Sequence, residues 1–279
     1  MIDLNGENIG RVYLGSDPLC RIYCRDGLDL GVEREWTPPP PPPPHLKFTS
    51  QQDNSTVGYT INGTVNKDIY TSIDGQVWIP WDGSNIALNN GQGIYVWNKT
   101  NTLNTGWGSL KFIMSGSIAA SGNVDSMINF SELTVSCYQG LFNGCAALTT
   151  APVLPATTLT TSCYQIMFQN CTSLTIAPEL PATQLAQQCY AFMFYNCTAL
   201  IAAPNLPATT LAHNCYVEMF EQCTNLNSIK ISYTGNFNRY FSNWVSGISS
   251  TGTFYYNGSD TTRGASAIPS GWTVQTFAA

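Results

Sequence analysis

Eight of the chain's ten cysteines fall in two columns with a spacing of 26 residues: Cys137, Cys163, Cys189 and Cys215, then Cys145, Cys171, Cys197 and Cys223. Thiols in such numbers can pair as disulfides, hold zinc or attack an electrophile, and each use makes a geometric demand. Read on a helix, the two cysteines of one repeat lie about 12 Å apart along the axis, and helices of neighbouring repeats lie roughly 8–10 Å apart. Neither separation suits a disulfide. A Cys-x7-Cys spacing accompanied only by His213 is not a zinc pattern. Small buried thiols filling stacked columns account for the residues better, and they agree with a reducing compartment. Cys20 and Cys24, about 13 Å apart if extended, read the same way. No cofactor or metal is expected.

Acid–base chemistry is equally thin. The repeats carry Asp125, Glu132, Glu179, Glu218 and Glu221. Glu218 and Glu221 read as an exposed i, i+3 pair on a helix, and a solvated face is the expected role of all five. A polysaccharide depolymerase needs two carboxylates at a defined separation, which this set does not announce. His45 borders a proline run and His213 has no evident carboxylate or serine partner, so no catalytic triad is visible. The sequence is read as non-enzymatic.

The remaining composition narrows the partners. A tenth of the residues are charged, the net charge is −6 and the pI is near 4.7. No Lys or Arg occurs between Lys111 and Lys230, which argues against a nucleic-acid partner. No run of about 18 apolar residues suggests membrane insertion, and the N-terminus lacks the pattern of a signal peptide.

The elements that must position these residues change along the chain. Residues 1–36 read as a β-meander too small to bury its own core, hence an anchor that folds against a larger assembly, with Ile9, Val12, Tyr13, Leu14, Ile22 and Tyr23 as its candidate contacts. Pro38 to Pro44 then form a polyproline rod of roughly 20 Å, giving a linker over 37–44. Short strands with frequent turns over 45–110 suggest an immunoglobulin-like β-sandwich, with Asp74-Gly75 as a hairpin signal. Trp78, Trp81, Trp97 and Trp107 are either an aromatic platform for a sugar or, as the favoured reading, core.

Residues 111–231 hold four 26-residue units beginning at Ile128, Leu154, Leu180 and Leu206, preceded by an atypical lead-in. Such a period with a leucine and cysteine pattern marks a leucine-rich-repeat solenoid. Leu159, Cys163, Tyr164, Met167, Phe168 and Cys171 place one stripe on a helix, Thr157, Thr183, Thr209 and Ser131 suit its N-cap, and Gly144, Asn170 and Asn196 suit a C-terminal residue of positive φ. Leu148, Leu174, Leu200 and Leu226 open short parallel strands limited by Pro152, Pro178 and Pro204. The loss of that proline at Ile229-Lys230-Ile231 ends the solenoid, and 232–279 form a cap with a short helix over 239–247 and two strands. The expected fold is therefore multidomain: β-meander, immunoglobulin-like sandwich, α/β leucine-rich-repeat solenoid and cap.

The repeat Leu-Pro-Ala-Thr-x-Leu…Cys-Tyr-x-x-Met-Phe-x-x-Cys-Thr-x-Leu resembles the BspA-like, Treponema-type leucine-rich repeats of gut Bacteroidetes surface proteins and their phages. The likeness runs from about 111 to 279 and includes Gly122 to Ile128 and Ile268 to Val274, while Tyr70 to Trp78 resembles the sandwich that often precedes such repeats. Ile9 to Ser16 resembles N-terminal segments of phage virion proteins. These resemblances imply a virion fibre or decoration protein, of crAss-like phage type, assembled in the host cytoplasm. It would be fixed to other virion proteins through residues 1–36 and would display its repeats to a host glycan or protein. Fibres of this kind are commonly trimeric, so a homo-oligomer is expected. A bacterial cell-surface adhesin is the alternative. The columns that vary between repeats give the candidate adhesive surface: Gln139, Asn143, Gln165, Gln169, Tyr195, Glu218 and Glu221.

Overall fold

The computed structural model describes residues 3–4, 7–8, 45–61, 69–98, 110–127, 133–237 and 240–278. The chain divides into two units, Met1–Pro42 and Pro43–Ala279. In the first, β1 (Asp3–Leu4) and β2 (Glu7–Asn8) pair antiparallel. The candidate anchor residues Ile9, Val12, Tyr13, Leu14, Ile22 and Tyr23, the proline run, and Cys20 and Cys24 lie outside the described residues.

The second unit opens with the sandwich, where alternation of apolar and polar residues dictates strands. Its strands are β3 (Leu46–Ser50), β4 (Ser55–Ile61), β5 (Ile69–Ser72), β6 (Ile79–Pro80), β7 (Ile86–Leu88), β8 (Gly93–Asn98), β9 (Leu110–Ser115) and β10 (Ile118–Ser121). One sheet runs β10-β3-β8-β5-β6 and the other β7-β4-β9. Leu46, Phe48, Ile94 and Val96 from the first, with Val57, Tyr59 and Phe112 from the second, are all buried. Phe48 meets Phe112 edge-on at 4.8 Å.

Both sheets continue into the repeats. Strand β10 pairs in parallel with β11 (Leu148–Thr150) of the first repeat, and the Phe112 amide of β9 donates to the Leu141 carbonyl at 2.9 Å. Sandwich and repeats share one hydrophobic core.

The repeats themselves overturn the α/β expectation. Among the described residues the regular elements are strands, and the one helical segment is a single 3-10 turn at Val124–Met127. The stripe read as a helix is a ribbon of consecutive tight turns. Every fourth residue has positive φ: Ser136, Gly140 and Gly144 in the first repeat, Ser162, Ile166 and Asn170 in the second, Gln188, Phe192 and Asn196 in the third, Asn214, Glu218 and Gln222 in the fourth. Alternate amides close turns within the ribbon, as from Cys137 to the Thr134 carbonyl and from Leu141 to Tyr138. The amides between them cross to the next repeat, as from Tyr138 to the Cys163 carbonyl at 3.0 Å and from Phe142 to Met167 at 3.0 Å. Every amide from Ser136 to Cys145 thereby has a backbone partner, as a buried segment requires.

The period explains the misreading. Cys163, Met167 and Cys171 follow one another at a spacing of four, with Tyr164 and Phe168 beside the first two. On an α-helix each step of four overshoots a turn by about 40°, so the two steps would spread the stripe over about 80°. A four-residue turn repeat keeps it in line. The threonines expected at helix N-caps have no helix to cap; the Thr157 carbonyl instead accepts the amides of Thr183 and Gln184 from the next coil. Ser131 lies outside the described residues.

The opposite wall is a parallel ladder. Bridges join Thr150 to Ile176, Ile176 to Ala202 and Ala202 to Ser228, and buried Pro152, Pro178 and Pro204 keep the pairing to single bridges in the middle coils. Where proline is absent, β12 (Ser228–Ile231) forms and pairs in parallel with β13 (Thr253–Tyr256), which pairs with β14 (Thr273–Gln275). The stack therefore continues past residue 231. The helix expected over 239–247 is a further turn ribbon, with positive φ at Asn243 and Gly247 and accepting amides from Tyr216, Glu218, Phe220 and Gln222. Among the described residues no helix is long and apolar enough to cross a membrane.

Candidate recognition surface

Inside the stack the repeated columns form ladders. Phe142, Phe168, Phe194 and Phe220 stack at 5.4, 5.6 and 5.7 Å, and Tyr138, Tyr164, Tyr190 and Tyr216 at 5.6, 6.1 and 6.1 Å. All eight repeat cysteines are free and buried. The second column has a fixed role: the thiols of Cys145, Cys171, Cys197 and Cys223 donate to the carbonyls of Phe112, Phe142, Phe168 and Phe194, at 3.1, 3.2, 3.1 and 3.0 Å. Burial pushes Cys145, Cys163, Cys215 and Cys223 up to about 12 and raises the other four as well. A thiol so held stays protonated and is a poor nucleophile. Among the described residues no group of three or more metal-binding side chains is assembled.

The ribbon's outward side carries the columns that vary. Because residues of one column lie one coil apart, Asn143, Gln169, Tyr195, Glu218 and Glu221 share this wall, each partly exposed. Asn143 donates to Gln169 at 3.2 Å, and in the adjacent column Asn196 donates to Asn170 at 2.9 Å. Tyr195 lies 6.4 Å from Phe192. Two candidates are not available as expected. Gln139 and Gln165 are buried, at 4% and 6% exposure, and engage their amides with each other at 2.8 Å, since like side chains in adjacent coils sit close enough to pair.

Glu218 and Glu221 lie partly buried at the last repeat, not on a helix. Loss of solvent raises the Glu218 pKa, and the Glu221 charge and a hydrogen bond between the two side chains raise it further. Glu221 Oε2 is buried and has no hydrogen-bond partner among the described residues. Two carboxyl groups in hydrogen-bond contact are closer than the ~5 Å or more that glycoside hydrolysis requires. The other carboxylates are dispersed: Asp125 accepts from the Tyr138 hydroxyl at 3.2 Å, Glu179 is exposed, and Glu132 lies outside the described residues. His213 is exposed.

Sequence reasoning passed over Phe192, whose partly exposed ring occupies a varying column at φ 58°; the alignment of Gly140, Ile166, Phe192 and Glu218 in one column was the signal for it. It also treated the sandwich tryptophans as one group, whereas the structure separates them. Trp81 is core, edge-on to Tyr59 at 4.8 Å with its indole N–H donating to the Ser84 carbonyl. Trp78 and Trp97 are on the opposite, outward face, and Trp107 lies outside the described residues.

No protein-family model, no curated protein and no solved structure matches the chain.

Proposed function

We propose that the chain is a non-enzymatic display and adhesion protein. The first 36 residues fix it to other virion proteins as a fibre or decoration protein, and the stacked coils present the ribbon's outward wall to a host glycan or protein. One observation carries the reading: the inward columns repeat Cys, Tyr, Leu or Met, Phe and Cys from coil to coil, while the columns Asn143, Gln169, Tyr195, Glu221 and Gly140, Ile166, Phe192, Glu218, exposed in part from coil to coil, change on the same fixed lattice. A scaffold that holds its frame constant and varies its face suits recognition rather than turnover. The near absence of basic residues there directs it toward neutral partners, and the likeness of the repeats to BspA-like adhesion proteins points the same way.

The test is adhesion of labelled, purified protein to host cells, with Gln169→Ala, Tyr195→Ala and Glu221→Gln combined in one variant. A loss of about tenfold or more is expected, since a few partly buried residues dominate most interfaces. Unchanged adhesion by a folded variant removes the ribbon wall as the binding face. Mass spectrometry of purified particles separates the virion reading from a bacterial cell-surface adhesin: the protein is expected among capsid and tail proteins, and its recovery only from the envelope of phage-free cells reverses the assignment.

A further inference from the structure

The outward face of the sandwich's larger sheet carries aromatic rings where water-facing positions are ordinarily polar. Along β3, β5 and β8 the side chains of Leu46, Phe48, Ile69, Ile94 and Val96 are buried, while Lys47, Tyr70, Tyr95 and Trp97 between them are partly exposed. The register sets Tyr70 opposite Trp97 and Lys47 opposite Tyr95. Tyr70 and Trp97 ring centres are 5.8 Å apart, and the Lys47 ammonium sits 4.9 Å above the Tyr95 ring.

The connection from β5 to β6 folds over this face and is tied down. Asp74 Oδ1 accepts the Gln76 and Val77 amides at 2.8 and 2.9 Å and the Ser72 hydroxyl at 2.8 Å. These hydrogen bonds lower the Asp74 pKa to about 2. Gly75, at φ 75°, passes so near Tyr95 that a side chain there would meet the ring at 3.7 Å. Trp78 is thereby placed 5.7 Å from Trp97 and 4.8 Å from His45, its ring inclined at 66° and 67° to theirs. Ile73, Val77 and Ile79 flank the cluster and are 83%, 67% and 58% exposed.

The chemistry of this corner selects a ligand class. Its two charges are engaged, Lys47 over Tyr95 and Asp74 on its own turn, so nothing in it seeks an ion. His45 Nδ1 is a buried polar atom with no hydrogen-bond partner among the described residues, and burial lowers the imidazole pKa. The neutral ring offers one donor and one acceptor, and an unmet polar atom is expensive to leave so. Pyranose rings match both features: their C–H faces carry slight positive charge that suits the negative face of an indole, and their hydroxyls both donate and accept. A proline-rich segment also stacks on aromatic grooves, but it has no N–H to give to an imidazole acceptor.

We propose that the face formed by His45, Tyr70, Trp78 and Trp97 is a binding site for a neutral saccharide. The proposal rests on the adhesion reading above and gives it a ligand class, at a site separate from the ribbon wall. Binding shifts Trp78 enough to bring a sugar hydroxyl to the imidazole.

The test titrates the whole chain with neutral oligosaccharides ending in glucose, galactose, mannose or N-acetylglucosamine, and with a heptaproline peptide. Tryptophan fluorescence and calorimetry report binding. At least one saccharide is expected to bind, with affinity lowered about tenfold or more by Trp78→Ala and by Trp97→Ala. Trp97→Phe, which keeps a ring, is expected to stay within about threefold of the parent, and Gln275→Ala, at an exposed position of β14, to change nothing. Thermal unfolding checks each variant's fold. Trp78 lies on a surface turn, so Trp78→Ala decides the matter if Trp97→Ala does not fold. Saccharide binding insensitive to Trp78→Ala, or heptaproline binding in place of saccharide, overturns the proposal. If cells are bound but no saccharide is, this proposal falls and adhesion stands; if neither is bound, both fall.

Discussion

In the sandwich, β4 and β9 pair over six residues, from Thr56 with Ser115 to Ile61 with Leu110. In the middle coils the ladder is reduced to one bridge per repeat, and the ribbon carries the rest of the backbone bonding. The sandwich joins strands distant in sequence and fills its core with a different residue at each position: Phe48, Val57, Ile94, Phe112. Each coil meets only its two neighbours and fills its core with copies of itself. The difference lies in how far a local change travels. A strand in the sandwich is needed by partners on both sides, whereas a coil is an interchangeable step in a nearly one-dimensional stack.

Deletions give the largest expected contrast. Removing residues 154–179 takes out one complete coil and leaves Leu180 after Val153, so the amides of Ser136 to Gly144 meet the equivalent carbonyls 26 residues further on. The shortened chain is expected to fold and to unfold cooperatively at a lower temperature. Removing 93–98 takes β8 from between β3 and β5, and the sandwich is expected not to form. Circular dichroism melting curves check both; equal damage from the two deletions contradicts the picture of interchangeable coils.

The same contrast decided what could be read in advance. Alternation in the sandwich has a period of two, far from any competing pattern, and the short strands expected over 45–110 are present as β3 to β8. In the coils the repeat length and the inward columns were legible, and so was positive φ at Gly144, Asn170 and Asn196. Their cause was not, because a period of four resembles one of 3.6 over the few residues of a single repeat. Gln222, in the same column, has φ 63° like the others. At the surface, burial of Gln139 and Gln165 depends on amides pairing between coils, and the place of Trp78 depends on one carboxylate closing a turn. Neither is a property of local sequence.

Truncating one ring probes the two cores at the next level. Phe168 is fully buried between Phe142 and Phe194, and Phe48 is fully buried against Phe112 and Phe142. Phe168→Ala and Phe48→Ala are each expected to destabilise by about 3–5 kcal/mol in denaturant titrations. A much smaller loss at Phe168 would mean that the stack closes around the gap by sliding its coils.

Backbone strain offers a smaller handle of opposite sign in the two regions. Gln222 is exposed and holds positive φ without being glycine, so Gln222→Gly is expected to stabilise by about 1 kcal/mol. Gly75 holds φ 75° in the hairpin, and Gly75→Ala is expected to destabilise by a similar ~1 kcal/mol. Matched denaturation curves of the two variants check the signs; stabilisation by Gly75→Ala would contradict the turn geometry.

Protonation separates the regions most finely. Asp74 is held down to about 2 from 3.8 by amides and the Ser72 hydroxyl, so its ionised form favours the fold. That contribution is present above the ordinary carboxylate value and fades as pH falls from about 4 toward about 2. Glu218 is raised above 4.5, first by loss of solvent and then by Glu221, so the folded protein binds its proton more tightly than the unfolded chain does. Its contribution is fully favourable below 4.5 and is lost as pH rises through the raised value. Denaturation midpoints of the parent, Asp74→Asn and Glu218→Gln, measured from about pH 3 to 8, should therefore diverge in opposite ways. Asp74→Asn falls further below the parent as pH rises from about 3 to 5, while Glu218→Gln climbs relative to it as pH passes above 4.5. The Glu218 effect is the smaller in reach because only the last coil and its closing ribbon, through the Ser242 carbonyl that accepts the Glu218 amide at 2.9 Å, feel it. A Glu218→Gln curve parallel to the parent across this range would mean that the fold does not raise the Glu218 pKa.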